Sequence, residues 1–389
     1  MTPLAGIRVL EFGGFIAGPG AGMRLRDLGA DVIKVEPPGG DAARGMGAYG
    51  RSILHNFNRG KRSLAIDVQH ELGQQIIGEL LDRTDVVIQN LSPGAMARLG
   101  LDATSLCGQF PRLIYLTVAG YRAAGPNGGR RGFDGAVQAE AAMMYLNGER
   151  GTPPMKVGFP IVDVATAHIG AEAVLAALIT RMRTGRGGQL EVPMFDVAVH
   201  LQNVPLSTFI ESGEEPPRTG NGLPHNAPAA DLVPTRDGYI VLSAYLEDHW
   251  RRLCETLGRT DLLADWRFAT NDRRVAERPA LLRELGAAFG PLTTAEAIEL
   301  LSSNGLVVGI ARTYQDLAAC DEFVAGEFVM SKDCDGKPVY PIVRPPYVIG
   351  SEPATYPSPP ALGADNEEIL RELGWGDRMG SLQQAGVLP

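Results

Sequence analysis

IRVLEFGGFIAGPGAGMRLRDLGADVIKVE, residues 7–36, is the stretch on which the fold turns. Residues 7–12 form a short apolar run, and Gly13, Gly14, Gly18, Gly20 and Gly22 crowd the segment that follows. Residues 23–28 have helical spacing, and residues 31–36 are a second apolar run. Periodicity therefore reads strand, glycine-rich turn, helix, strand.

Moving outward, the same unit recurs. Strands are expected at 63–67, 85–89, 113–118 and 189–192, with a helix at 71–81 and a long alanine-rich helix at 166–181 that ends in the turn residues 184–188. Strands alternating with helices imply an α/β fold: a doubly wound, mostly parallel sheet covered on both faces. Residues 211–228 then change character, being rich in Gly, Pro, Asn and Glu with little apolar periodicity, which reads as a linker or loop. Beyond it, a strand at 239–244 and helices near 247–257, 277–289 and 294–303, the last capped by Thr293 or Thr294, suggest a smaller α+β domain. The tail is proline-rich from Lys337 to Pro360 and closes with a helix at 366–373 ended by Gly374. The expected division is a large domain at 1–210, a loop at 211–228, a small domain at 229–330, and a C-terminal segment at 331–389 returning to the large domain.

Bulk properties narrow the function. A chain of 389 residues with 44% hydrophobic composition is long enough for two cores. A net charge of -9 and a pI near 5.3 argue against general binding to nucleic acid or to a membrane surface, so an anionic ligand needs local basic groups. Cys107, Cys254, Cys320 and Cys334 are far apart and form no CxxC pair, which suggests neither a disulfide framework nor a metal site and fits a cytoplasmic location. The start, MTPLAGIRVLEF, has no export signal, and no apolar stretch of about 18 residues is evident.

The opening unit resembles a dinucleotide-binding one, with Glu36 as the acidic residue ending its second strand. The spacing fails, because Phe15 stands where the fingerprint needs its second glycine, although Gly18 falls at the third position. Read structurally, these glycines serve a tight turn and close helix packing.

Several segments together are more specific: LAGIRVLEFGGFIAGPGAG, LGADVIKVEPPGGD, FNRGKRSLAIDV, DVVIQNLSPGAMARLG, GFDGAVQAEAAMM, VGFPIVDVATA, RTGRGGQLEVPMFD and PPALGADNEEILRELGW. In this order and spacing, across nearly the whole chain, they resemble the class III CoA-transferase family, which includes formyl-CoA and carnitine CoA-transferases and the related α-methylacyl-CoA racemases. The resemblance implies a Rossmann-like large domain with a small inserted domain, an interlocked homodimer, and CoA or acyl-CoA as substrate with no tightly bound cofactor.

It also implies roles. Asp163, in GFPIVDVAT, matches the nucleophilic aspartate; read alone, it is a candidate helix N-cap. A helix N-terminus favours an ionised carboxylate, and at an ordinary aspartate pKa of about 3.9 no general base is needed. Asp134 matches an acidic residue beside the active site and is otherwise a helix cap. CoA contacts are implied at Asn90 and Arg98, at Ile16 and Ala17, and at Ile66, Gln69 and Arg131. Asn58, Arg59, Lys61 and Arg62 form a basic cluster suited either to phosphate or to a solvated surface. Gly220-Asn221-Gly222 is a candidate source of oxyanion donors.

Phe133 stands where the racemase branch has a histidine, and a phenyl ring carries no proton. Ile16 replaces a glutamine found in some transferases, and the glycine loop of the formyl-CoA branch is not reproduced in 218–231. His168, His225 and His249 have no assigned role, and no ligand-spaced cluster suggests a metal. The leading expectation is a CoA-transferase working through Asp163. Its alternatives are an acyl-CoA racemase or intramolecular CoA isomerase, an idle acyl-CoA-binding protein, and a nicotinamide-dependent oxidoreductase.

Overall fold

A computed structural model of the chain describes residues 2–222, 229–332, 338–347 and 357–389. Six strands, β1 (Arg8–Phe12), β2 (Asp31–Glu36), β3 (Arg62–Ala65), β4 (Val86–Gln89), β5 (Ile114–Ala119) and β6 (Gly188–Pro193), form one sheet in the order β3-β2-β1-β4-β5-β6. Every neighbouring pair is parallel. Because alternate side chains point to opposite faces, Leu10, Phe12, Ile33 and Val35 enter one core and Val9, Val32, Val86 and Ile88 the other. Burial on both faces explains why the strands read as nearly continuous apolar runs.

Ten α-helices lie along residues 17–212: α1 (Ala17–Asp27), α2 (Gly47–Phe57), α3 (Glu71–Leu81), α4 (Ala95–Arg98), α5 (Ala103–Gln109), α6 (Asp134–Glu140), α7 (Met143–Leu146), α8 (Ile161–Thr184), α9 (Met194–His200) and α10 (Asn203–Ser212). On one face α3 packs Ile76, Ile77, Leu80 and Leu81 with the C-terminal residues Ile369, Leu370, Trp375 and Leu382. On the other, α1 and α8 contribute Ala17, Ala21, Leu25, Ala171, Val174 and Leu178. The two helices approach closely: a Cβ on Gly20 would meet the Cβ of Ala167 at 2.6 Å. By length and mean hydropathy, 1.6 over its most apolar window, α8 could cross a membrane, contrary to the expectation of no such stretch; here its small-residue face lies in the core.

Chain crossings run outward in both directions from β1, so β1 and β4 flank the point where strand order reverses. In open parallel sheets the crevice at the C-terminal ends of such strands is where ligands bind.

The described residues divide into two compact units. The first comprises residues 1–141, 157–203 and 327–389, and the second residues 142–156 and 204–326. Residues 142–156 and 204–210, expected in the large domain, thus group with the second unit. The reason is local: Arg218 donates to the carbonyls of Asn147 and Pro153, and Glu149 bridges to Thr219. Within that unit β7 (Leu232–Pro234), β8 (Tyr239–Leu242) and β9 (Val308–Ile310) form an antiparallel sheet over a core that includes Trp250, Leu253, Phe268, Leu281 and Phe289. Thr293 closes a capping box with Glu296, as the cap reading anticipates.

One feature of the large sheet is not apolar. Glu11 and Lys34 are register partners on β1 and β2, both wholly buried, and Asp41 and Lys61 join them. Lys34 Nζ lies 3.0 Å from Asp41 and 3.5 Å from Glu11, and Lys61 Nζ lies 2.7 Å from Glu11. Burial pushes the Lys61 ammonium down to about 8, against the pull of Glu11. Removing one member strands the others, so Lys61→Met should lower stability by about 3–5 kcal/mol in urea denaturation. An unchanged midpoint would show that the cluster contributes nothing to the fold.

Candidate active site

The buried charges hold the glycine-rich segment from below. Lys34 Nζ donates to the Gly13 carbonyl at 2.6 Å and Lys61 Nζ to the Pro19 carbonyl at 2.8 Å. With the Gly13 carbonyl turned inward, the N–H of the same trans peptide faces the other way. It donates to Asn90 Oδ1 at 3.0 Å, and Asn90 Nδ2 returns a bond to the Gly14 carbonyl at 2.9 Å. A Cβ on Gly18 would come within 2.8 Å of Asn90 Cγ, so glycine here permits close packing. Phe15, at the crest, has φ 62, a conformation rare for a residue with a side chain.

Asp163 lies in the first turn of α8, beside this loop in the same cavity. The loop before α6 places Asp134 at that helix's first residue, and its Oδ2 accepts the N–H of Val162 at 2.8 Å and of Asp163 at 3.1 Å. Its Oδ1 accepts from Gln138 Nε2 at 2.6 Å. Asp134 therefore caps α8 from outside that helix. The N–H groups expected to stabilise Asp163 as an anion serve Asp134 instead. Burial, and secondly the charge of Asp134, push the Asp163 carboxyl up to about 7, which corrects the expectation of an ordinary aspartate.

A cavity of about 540 Å³, within the usual range for ligand sites, opens at the strand-order reversal. Ile16, Ala17, Asn90, Arg131 and Asp163 line it, as do Phe15, Tyr121, Phe133 and Glu191, which the sequence reading did not single out as ligand contacts. Phe133 is 66% exposed and meets Phe15 edge to face at 6.2 Å. Arg130 is held by Glu140, whereas no hydrogen bond or ion pair holds the Arg131 side chain among the described residues.

Other expected contacts lie elsewhere. Ile66 is wholly buried in the core with Ile76 and Leu64 and does not line this cavity. Gln69 and Arg98 are exposed but do not line this cavity. The basic cluster is committed internally: Arg59 pairs with Asp27 at 2.5 Å, Lys61 with Glu11, and Arg62 with Asp31 and Glu372. Glu36 is likewise occupied by Arg44 and Ser63 and is not available to a ribose. The N–H groups of Gly220 and Gly222 donate to Gly148 and Thr219, which corrects their reading as oxyanion donors. His168 is exposed against Arg24, His249 sits in the helix Glu247–Thr256, and His225 lies outside the described residues.

The sequence model of CoA-transferase family III matches residues 4–366. The chain belongs to that family. It is 36% identical, over 95% of this chain and 97% of the other, to a probable fatty acyl-CoA transferase of Mycobacterium tuberculosis. It is 33% identical to a succinate–glutarate CoA-transferase of Agrobacterium fabrum, over 95% of this chain and 96% of the other. A crystal structure of the Mycobacterium protein matches with a TM-score of 0.84 at 36% identity, covering 94% of this chain and 98% of that one. A CAIB/BAIF family protein of Brucella suis does so with a TM-score of 0.84 at 33% identity, covering 96% and 99%. As a member, this chain is a CoA-transferase of family III, and the nicotinamide-dependent alternative falls away.

The site predicts its own pH behaviour. A carboxyl acts as a nucleophile only when ionised, so a reaction that uses Asp163 in that way should show turnover rising with pH through about 7. Asp134→Asn removes the neighbouring negative charge, and the rise should move to lower pH by about one pH unit. A pH–rate profile that stays in place would mean that Asp134 does not set the Asp163 carboxyl.

Proposed function

We propose that this CoA-transferase moves CoA from an acyl-CoA thioester to a carboxylic acid through a covalent intermediate on Asp163. The observation that carries the reading is the Asp163 carboxyl itself. It lines the cavity, accepts no hydrogen bond from a described residue, and is raised to about 7 by burial and Asp134. A carboxylate partly shielded from water and without a described donor is more basic, and hence a stronger nucleophile, than an ordinary aspartate.

In this reading the Asp163 carboxylate attacks the thioester carbonyl, and the C–S bond breaks to give a mixed anhydride and CoA thiolate. The thiolate attacks the aspartyl carbonyl, releasing the first acid and leaving an aspartyl-CoA thioester. The acceptor carboxylate then attacks that thioester, and the displaced thiolate takes the new acyl group and frees Asp163. Asn90, Ile16 and Ala17 would shape the reactive end of CoA, and Arg131, on the cavity wall with no partner among the described residues, would meet an anionic group. Arg98 and Gln69 would contact the nucleotide end outside the cavity.

Short dicarboxylates are the first substrates to test, because relatives carry the names succinate–glutarate, succinyl-CoA–D-citramalate and succinyl-CoA:glutarate CoA-transferase. Phe133, without a transferable proton, favours transfer over racemisation. We also read the small unit as a domain inserted in the larger one, and the protein as a cytoplasmic homodimer. An apolar helix with no buried residue, α10, supports association, Val204 and Ile210 each being 72% exposed.

The test is intact-protein mass after incubation with a panel of acyl-CoA thioesters including succinyl-CoA, followed by hydroxylamine trapping. The expected result is a CoA-sized adduct or hydroxamate at Asp163 that Asp163→Asn abolishes. Turnover without modification of Asp163 would overturn the covalent reading.

A further inference from the structure

Gln138 lies on α6, one turn after Asp134, and is wholly buried. It does not line the cavity, yet both ends of its side-chain amide are engaged. Its Oε1 accepts the N–H of Val157 at 2.9 Å, and its Nε2 donates to Asp134 Oδ1 at 2.6 Å. The other oxygen of Asp134 accepts the N–H groups of Val162 and Asp163. Val157 and Asp163 are the two ends of the segment VGFPIVD that leads into α8. A single i, i+4 pair on α6 therefore grips that segment at both ends.

We propose that Gln138 is a positioning residue for the transfer reaction, orienting Asp134 so that the first turn of α8 presents the Asp163 carboxylate to the cavity. The proposal rests on the reading of Asp163 as nucleophile. Its physical basis is that a backbone N–H needs an acceptor and a carboxylate needs a donor. The glutamine amide supplies one of each across a span that fits both. Glutamate would keep the acceptor for Val157 but set a second carboxylate against Asp134. Methionine has similar length and offers neither bond. Without the Gln138 donor, one partly buried Asp134 oxygen loses its partner, and the cap on α8 is no longer held in one orientation.

The experiment measures single-turnover adduct formation at Asp163 under saturating succinyl-CoA, or whichever thioester in the panel modifies the natural protein, together with the Kd for CoA by calorimetry. Gln138→Met and Gln138→Glu are compared with the natural enzyme, with circular dichroism as the check on folding. For Gln138→Met the expected result is adduct formation slower by about 10–100-fold, with the CoA Kd within about two-fold, since a misplaced group that does not touch CoA affects the chemical step.

Gln138→Glu should be slow at pH 8 and recover relative to the natural enzyme as the pH is lowered. A proton held between the introduced carboxyl and its neighbour restores a donor between them. The titratable group that faces this carboxyl pair from another helix is Asp163, on α8. A general loss of structure would not show this pH-dependent recovery, so the glutamate variant decides the matter if the methionine variant fails to fold. Natural rates in a folded Gln138→Met, or a loss in Gln138→Glu that is the same at every pH, would overturn the proposal. If the natural enzyme turned over without an adduct at Asp163, the reading beneath the proposal would fail instead.

Discussion

The approach of α1 to α8 sets the distances on which the site depends. A side chain on Gly20 would overlap Ala167, and one on Gly170 would press on Leu116 at 3.1 Å and Ala21 at 3.4 Å. With those positions reduced to hydrogen, the N-terminal ends of both helices come together at the C-terminal ends of the central strands, where strand order reverses. One of those ends carries the glycine-rich segment and the other carries Asp163. Hydrophobic packing alone would leave the segment free to slide. The Lys34 and Lys61 ammonium groups hold it from the sheet side, and Asn90 holds it from the side of β4. Buried charges are an expensive way to fix a loop, but they offer directed bonds that methyl groups cannot.

Electrostatics at the second helix run against a simple expectation. A carboxylate at a helix N-terminus is ordinarily stabilised as an anion. Here the cap is a different carboxylate, Asp134, brought in by α6, and it takes the N–H groups of Val162 and Asp163. Asp163 is left with burial and a neighbouring negative charge, both of which favour its protonated form. Two aspartates in one site thus acquire different work from their surroundings: Asp134 organises the backbone, and Asp163 keeps a basic carboxyl facing the cavity.

Much of the fold was readable because both faces of a parallel sheet leave an unmistakable trace in apolar runs. β2 and α3 have the bounds their periodicity suggests. α8 begins five residues before its expected start, because Pro160 and the Asp134 cap define an N-terminus that alanine content does not mark. α6 has seven residues, too few to show a period, and the sequence marks it only through Asp134 as a candidate cap. The charges of the buried cluster do carry a signal in the sequence. Glu11 and Lys34 interrupt otherwise apolar central strands, where an unpaired charge would be untenable, and this points to pairing with each other. The basic run at 59–62 misled for the converse reason: local sequence shows the cations, but their partners Asp27, Glu11, Asp31 and Glu372 are distant in the chain. Asp163 is singled out by its motif, while its raised carboxyl is not legible in the sequence, because Asp134 and the burial come from tertiary structure.

The central claim is that the fold makes Asp163 an unusually basic aspartate, and it can be measured without substrate. Carbon-13 NMR of protein labelled at the aspartate carboxyls, with Asp163→Asn to assign the signal, would follow this group through titration. The account predicts a midpoint near 7 for Asp163. A midpoint near 4, that of an ordinary exposed aspartate, would contradict it.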